Sequence, residues 1–380
     1  MRVCHFCSAN PDSHYFANLS KGLSSNGVAL FLGSLNSNQA PAWLQEIAGA
    51  RYFSLGTAFR GAYPLAVIRL ARLLRRERIE ILQTHLFDAG LIGVLAARLA
   101  RIPVTIVTRH HTDEASLVGT NVHVALDRLM ARMADRVVVL SQAVRNHMIA
   151  REHVPGDKIE VIYQGFDFEA FSATEADRER VRAEFGLQSN FVIGCVARFY
   201  KTKGHDYLLA ALRDLVREIP EIRLLLLGGG DRSAIMNMIR DYELQEQVVF
   251  AGYRNDVAAC MKAMDVVVHP SLTEAFCQAH IEALASGRPL VATNVAAAPE
   301  VITHGETGML IPVRDSSAIV RTVLDLYHNS ELRQRIALAG QKSVVKRFTV
   351  ERMVNHQIDC YRRWLNQPLR PHNYDVATKI

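Results

Sequence analysis

The sequence predicts an α/β protein made of doubly wound parallel sheets, and three observations carry that prediction. Short β-branched runs recur at the length of buried strands, segments with helical periodicity lie between them, and the runs are apolar at consecutive positions where a half-exposed sheet would alternate. Strands that alternate with helices in this way carry helices on both faces of each sheet.

The first strand is read in "MRVCHFC" (1–7), and later ones in "VTIVT" (104–108), "RVVVL" (136–140) and "IEVIY" (159–163). A second set follows at "FVIGCV" (191–196), "IRLLLLG" (222–228), "QVVFAG" (247–252), "DVVVHP" (265–270) and "PLVAT" (289–293). Between the sets, "FEAFSATEADRERVRAEFGLQSN" (168–190) is charged and holds no strand. The expected organisation is an N-terminal Rossmann-like domain over 1–165, a linker over 166–190, a C-terminal domain over 191–350, a last helix over 351–366 and a loose tail over 367–380.

Composition narrows the function classes. With 380 residues, 49% hydrophobic and 22% charged, the chain is ordinary globular material, long enough for two domains. No stretch approaches eighteen uncharged apolar residues, and "MRVCHFCSANPDSHYF" lacks the apolar centre of a signal peptide, so a cytoplasmic protein is expected. Of the six cysteines only Cys4 and Cys7 are close, inside the first strand and without a second ligand cluster, so they are read as buried thiols.

The formal charge of +6 is concentrated in one region. Residues 60–109 hold nine arginines (Arg60, Arg69, Arg72, Arg75, Arg76, Arg78, Arg98, Arg101, Arg109) against Glu77, Glu80 and Asp88. Nucleic acid is a poor partner for them, because no zinc spacing and no interleaved stacking aromatics accompany the charge. "YPLAVIRLARLLRRERIEIL" (63–82) repeats Arg69, Arg72 and Arg76 at helical spacing beside Leu65, Ile68 and Leu73. Such a basic amphipathic helix suits peripheral contact with an anionic membrane.

"SLTEAFCQAHIEALASGRPL" (271–290) sets Glu274 before an apolar-periodic run and Glu282 eight residues on. If all were helical, about 12 Å would separate the two backbones. The paired acids of a glycoside hydrolase sit at about 5 to 9.5 Å, so the spacing suits two ends of one long ligand better.

From about 136 to 350 the order of signals resembles the retaining, GT-B-fold glycosyltransferases of the group 1, or family 4, type, with their Glu-x7-Glu motif. The matching pieces are "VIYQGFD", "GCVARFYKTKGHDYLLAAL", "LLLLGGG", "VVFAGY", "DVVVHPSLTEAFCQAHIEALASGRPLVAT" and "APEVITHGETGMLIP". The resemblance implies a GT-B architecture, two Rossmann-like domains facing a cleft with the C-terminal helix returning to the first. It also implies a nucleotide-sugar donor, UDP-sugar ahead of GDP-sugar, and a glycan or lipid-linked acceptor. Neither a cofactor nor a metal is called for.

The chemistry of each piece is readable beside it. A departing diphosphate needs cations, which Arg198 and Lys203 supply on the loop after "FVIGCV", where open α/β sheets bind ligands. A helix starting near Cys277 would add its amides, with Ala275 and Phe276 in the same loop. Glu274 would then meet hydroxyls of the donor sugar and Glu282 the ribose. Gly228 and Gly230 would let the backbone approach the nucleotide, although with Ser233 they also make a partial dinucleotide fingerprint. By resemblance, a histidine after "VTIVT" lies beside the donor sugar; His110 is assigned and His111 is the alternative. Neighbouring strand residues point to opposite faces, so both cannot line one pocket, and a zinc site there is disfavoured.

Three departures are visible. No Gly-Gly pair follows the first strand in "SANPDSHYF", Glu-Ala-Phe-Cys stands where Glu-Gly-Phe-Gly is commoner, and "VAAAPE" replaces a Gly-Gly pair. Alanine and cysteine resist positive φ, so the donor loop is expected to be shaped differently. The alternative classes are an NAD(P)-dependent oxidoreductase built on 228–233 and a non-catalytic sugar-nucleotide sensor.

Overall fold

A computed structural model describes residues 1–57, 59–110 and 121–367. His111 and the tail beyond 367 lie outside the described residues. Two sheets form, and each is parallel throughout, as continuously apolar strands require.

The first sheet has seven strands in the order β3-β2-β1-β4-β5-β6-β7. They are β1 (Arg2–Cys7), β2 (Ala29–Ser34), β3 (Arg51–Ser54), β4 (Ile81–His85), β5 (Val104–Arg109), β6 (Arg136–Val139) and β7 (Ile159–Val161). The second has six in the order β10-β9-β8-β11-β12-β13. These are β8 (Phe191–Val196), β9 (Ile222–Leu227), β10 (Val248–Gly252), β11 (Val266–His269), β12 (Leu290–Thr293) and β13 (Met309–Ile311). In both sheets the order reverses beside the first strand of the half, which opens a crevice at the carboxyl ends of the strands.

One expectation is corrected. The run 63–82 is not one helix: Tyr63–Arg76 is helical, Arg78 takes φ 49° and stops it, and Ile81 and Leu82 are buried in β4. A non-glycine residue in the left-handed region cannot continue a right-handed helix. The segment 166–190 holds no strand but carries the helix Glu175–Glu184, with a Thr174–Asp177 capping box. Its Arg178 and Arg182 each hold Asp265 at 2.6 Å, and Asp265 accepts from the Val192 amide at 2.8 Å, so this helix is fastened to the second sheet.

The chain passes from the first half to the second and back along adjacent segments. The Phe166 amide donates to the Phe348 carbonyl at 2.8 Å, beside a parallel bridge between Phe166 and Thr349. From Thr349 the helix Val350–Asn366 returns to the first half and buries Met353, Val354, Ile358, Tyr361 and Trp364 against Leu19 and Leu23. Covering aliphatic side chains of this size contributes about 1.5 to 3 kcal/mol apiece.

Candidate active site

The loops at the carboxyl ends of the two sheets meet. Ser141, after β6, donates to the Ala275 carbonyl at 3.0 Å. The Glu300 carboxylate accepts from the amides of Gln142 and Ala143 and from the Tyr163 hydroxyl, each at 2.8 Å. It thereby caps the helix Gln142–Ala150 from the other half. A carboxylate at a helix N-terminus meets open amides and the positive end of the dipole. Glu300 was missed in the sequence, where its only signal is an acid opening "EVI" after Pro299; the partner amides lie more than 150 residues away.

Arg198 and Lys203 stand on the loop that leaves β8. Two glycines shape that loop. Gly228 has φ 148°, and a Cβ there would sit 2.0 Å from the Ala197 carbonyl oxygen. Gly204 has φ 68°, and a Cβ there would sit 2.0 Å from the Pro270 carbonyl oxygen. Gly228 therefore lets its strand end lie against the start of the Arg198 loop. Gly230, at φ 116°, lies in the same 228–230 turn, whose Gly229 carbonyl accepts from the Phe199 amide at 2.9 Å. Arg198 is exposed, with its guanidinium 5.8 Å from the centre of the Tyr200 ring.

Lys203 is brought to Glu274. Its Nζ lies 2.6 Å from Glu274 Oε1, which also accepts from the Ser271 hydroxyl at 2.9 Å. Burial pushes the Lys203 ammonium down, but the Glu274 carboxylate outweighs it and the net shift is upward, so the lysine is a firm cation. The helix expected near Cys277 spans Gln278–Ala285, with Cys277 as its cap residue and no side-chain cap hydrogen bond. Glu282, one turn in, accepts from Gln278 Nε2 at 2.7 Å, and burial raises its pKa.

The neighbours of Glu274 also make contacts of their own within the protein. The Phe276 ring packs within 6.5 Å of the rings of Tyr163, Phe166 and Phe348, in the layer between the halves. The Ala275 carbonyl is the acceptor for Ser141. Cys277 is buried at φ −83°, and neither it nor Ala275 nor Phe276 has positive φ, so this loop needs no glycine. Ala296, in "VAAAPE", does take φ 44°, where a glycine would sit without strain.

His110 follows β5 and is half-buried. Its Nε2 lies 3.0 Å from His85 Nδ1, and Tyr15 meets its ring edge-on at 5.6 Å between centres. Burial lowers its pKa to about 4, so the ring is neutral. Arg109, counted with the basic region, is turned inward and held by Asp127 and Glu152, so it contributes nothing to a basic surface.

Among the described residues, two groups could gather round a cation: His269, Cys277 and His280, all buried, and Glu160, His356 and Cys360. In the first, Cys277 Sγ lies 3.8 Å from His269 Nδ1, and burial holds the thiol protonated. Burial lowers both imidazoles; His280 and the Lys203 ammonium lower His269 further, while at His280 the Glu274 carboxylate works against Lys203. A cation placed there would face that ammonium.

Two parallel α/β halves whose carboxyl-end loops meet beside a Lys–Glu pair have the GT-B architecture. Residues 13–170 match the family described as Glycosyltransferase Family 4, and residues 177–343 match glycosyl transferases group 1. A GDP-mannose-dependent phosphatidylinositol monomannoside mannosyltransferase of Mycolicibacterium smegmatis is 30% identical over 73% of this chain and 75% of its own. A UDP-Gal:GlcNAc-diphosphoundecaprenol galactosyltransferase of Escherichia coli is 27% identical over 78% of each. The structure of Anabaena HepE in complex with UDP-glucose superposes with a TM-score of 0.83 at 22% identity, over 96% of this chain and all of that one. The chain belongs to the group 1 glycosyltransferases, and it is a transferase.

Proposed function

We propose that this glycosyltransferase moves a sugar from a nucleotide-sugar donor, with retention and without a metal, to a glycan or lipid-linked acceptor. The observation that carries the reading is the Lys203–Glu274 pair, set just before a helix whose first turn has no side-chain cap. A sugar diphosphate laid there meets the Lys203 ammonium, the Arg198 guanidinium and the helix amides, while Glu274 receives sugar hydroxyls and Glu282 the ribose. His110 stands on the facing half, beside the sugar. UDP-sugar is favoured: HepE is solved with UDP-glucose and the Escherichia coli relative uses UDP-Gal, although the mycobacterial relative is GDP-mannose-dependent.

Calorimetric titration with UDP, GDP and NAD tests the donor, and UDP is expected to bind tightest. Tighter GDP binding would reverse the base preference, and binding of NAD alone would remove the reading. Slow donor hydrolysis is expected to persist in EDTA, because protein cations meet the leaving diphosphate. Loss in EDTA with recovery on adding magnesium or manganese would show that a metal does that work instead.

A lipid-linked acceptor also suits the first half's surface. Exposed Leu65 and Ile68 stand among Arg69, Arg72, Arg75 and Arg76 on the helix Tyr63–Arg76, which packs on Phe87–Ala100 with its exposed Leu95 and Leu99. Among the described residues no helix is long and apolar enough to cross a membrane. Each arginine near an anionic leaflet contributes about 1 kcal/mol, screened over about 10 Å at 0.1 M salt. Co-sedimentation with phosphatidylserine vesicles at low salt is expected, weakened by replacing Arg69 and Arg72 with glutamate. No sedimentation at low salt would end this part of the proposal.

A further inference from the structure

Four polar rings and one amide form a single file through the first half. Gln83, on β4, donates through Nε2 to Thr108 Oγ1 at 2.7 Å, so its Oε1 faces the Tyr361 hydroxyl and accepts from it. Tyr361, on the returning helix, lies 3.2 Å from His5 Nε2. His5 Nδ1 lies 2.9 Å from His85 Nε2, and His85 Nδ1 lies 3.0 Å from His110 Nε2. Gln83, Tyr361, His5 and His85 are all at most 1% exposed.

Each link holds one proton, and a neutral imidazole carries one proton on two nitrogens. The first link therefore decides the rest. The Tyr361 proton is committed to Gln83, so Tyr361 can only accept from His5, which must carry its proton on Nε2. His5 Nδ1 is then bare and accepts from Nε2–H of His85. His85 Nδ1 is bare in turn and accepts from Nε2–H of His110. The remaining nitrogen of His110, Nδ1, has no proton. Burial keeps these rings neutral, with His5 lowered to about 3 and His85 well below its usual value, so no second proton blurs the order.

We infer that Gln83 and Tyr361 are positioning residues that fix the tautomer of His110 through His5 and His85, so that His110 meets the donor sugar as a hydrogen-bond acceptor through Nδ1. This rests on the reading of His110 as a donor-side residue. A histidine's tautomer is set by the hydrogen bond on its other nitrogen, and a hydroxyl of the sugar supplies a matching donor. If the amide of Gln83 were turned over, every link would reverse and His110 would present N–H instead. One buried amide thus sets the polarity of a ring at the far end of the file.

The experiment is a long-range 1H–15N correlation spectrum of the protein labelled with ring-15N histidine, with signals assigned by single His→Gln variants. His5, His85 and His110 are expected to be protonated at Nε2 and bare at Nδ1. In Gln83→Met, close in volume but unable to hold the Tyr361 proton, the protonated nitrogen is expected to shift to Nδ1. Donor hydrolysis should then lose about tenfold in kcat/KM, the worth of one hydrogen bond. Calorimetry should show UDP affinity within about twofold of the parent. Nδ1 protonation in the parent protein overturns the inference, and so does a tautomer shift in the variant that leaves kcat/KM unchanged. Failure of the parent to bind either UDP or GDP would instead remove the donor reading, and the spectrum would still report the order of the file.

Discussion

Lys203→Ala is expected to lower kcat for donor hydrolysis by about 10² to 10³, the usual loss when one group facing a developing oxyanion is removed. The ammonium gains most as charge shifts to the leaving phosphate oxygen, so kcat should fall and KM for the donor should rise less. Part of the loss comes through Glu274, which Lys203 holds at 2.6 Å. A cycle of Lys203→Ala, Glu274→Ala and the double variant should therefore be non-additive, with the double variant short of the summed losses. Arg198 is exposed and rests on Tyr200, so Arg198→Lys should be impaired through loss of its bidentate fork on phosphate. Turnover near that of the parent in a well-folded Lys203→Ala protein would show that the loop does not reach the phosphates, and the donor site would have to be placed elsewhere.

The second large effect is loss of stability in mild acid. His5, His85, His205, His269 and His280 are buried, and burial depresses each, His5 to about 3 and His205 and His280 to about 4. In the unfolded chain each titrates near about 6.5. A depressed folded pKa means that the stabilisation is complete above the unfolded value and is lost as pH falls towards the folded one. By about pH 5.5 each histidine removes on the order of 1.4 kcal/mol relative to neutral pH, roughly 7 kcal/mol for the set, a large part of the stability of a typical domain. Asp127 works the other way. Burial raises it to about 6, so its contribution grows as pH falls and returns about 1 kcal/mol at pH 5.5. Urea unfolding between pH 7.5 and 5 should show a midpoint falling steeply below pH 6.5. A flat midpoint down to pH 5.5 would mean that these imidazoles are solvated or paired in the folded protein.

Much of the fold was legible because its signals are local. A continuous run such as "FVIGCV" or "DVVVHP" is buried on both faces wherever it lies, so it reports a parallel strand without help from its neighbours. Strands β2, β3 and β4 were not read, nor was the three-residue β13. "ALFLGS" ends in Gly-Ser, "RYFS" is only four residues long, and "ILQTH" carries polar residues because Gln83 and His85 belong to a buried hydrogen-bonded file. Polar side chains that satisfy one another inside a protein erase the apolar signature on which a strand is recognised.

The sequence by itself determined the two parallel sheets, the family and the short-range arrangement of the candidate site: Lys203 with Gly204, and Glu274 and Glu282 around a helix start. These follow from spacing within one loop or one helix, which the chain cannot alter without changing residues. Only the tertiary structure decided what those residues touch. It paired Lys203 with Glu274 across 71 positions, sent Phe276 into the layer between the halves, and gave Gly228 to the Arg198 loop. It also set Glu300 on the amides of Gln142 and Ala143, and ran the file from Tyr361 to His110 over an element that returns from the far end of the chain. The reason is physical: backbone periodicity is written in neighbours a few positions apart, whereas a buried hydrogen bond or ion pair joins whichever groups the packing of the sheets brings within about 3 Å.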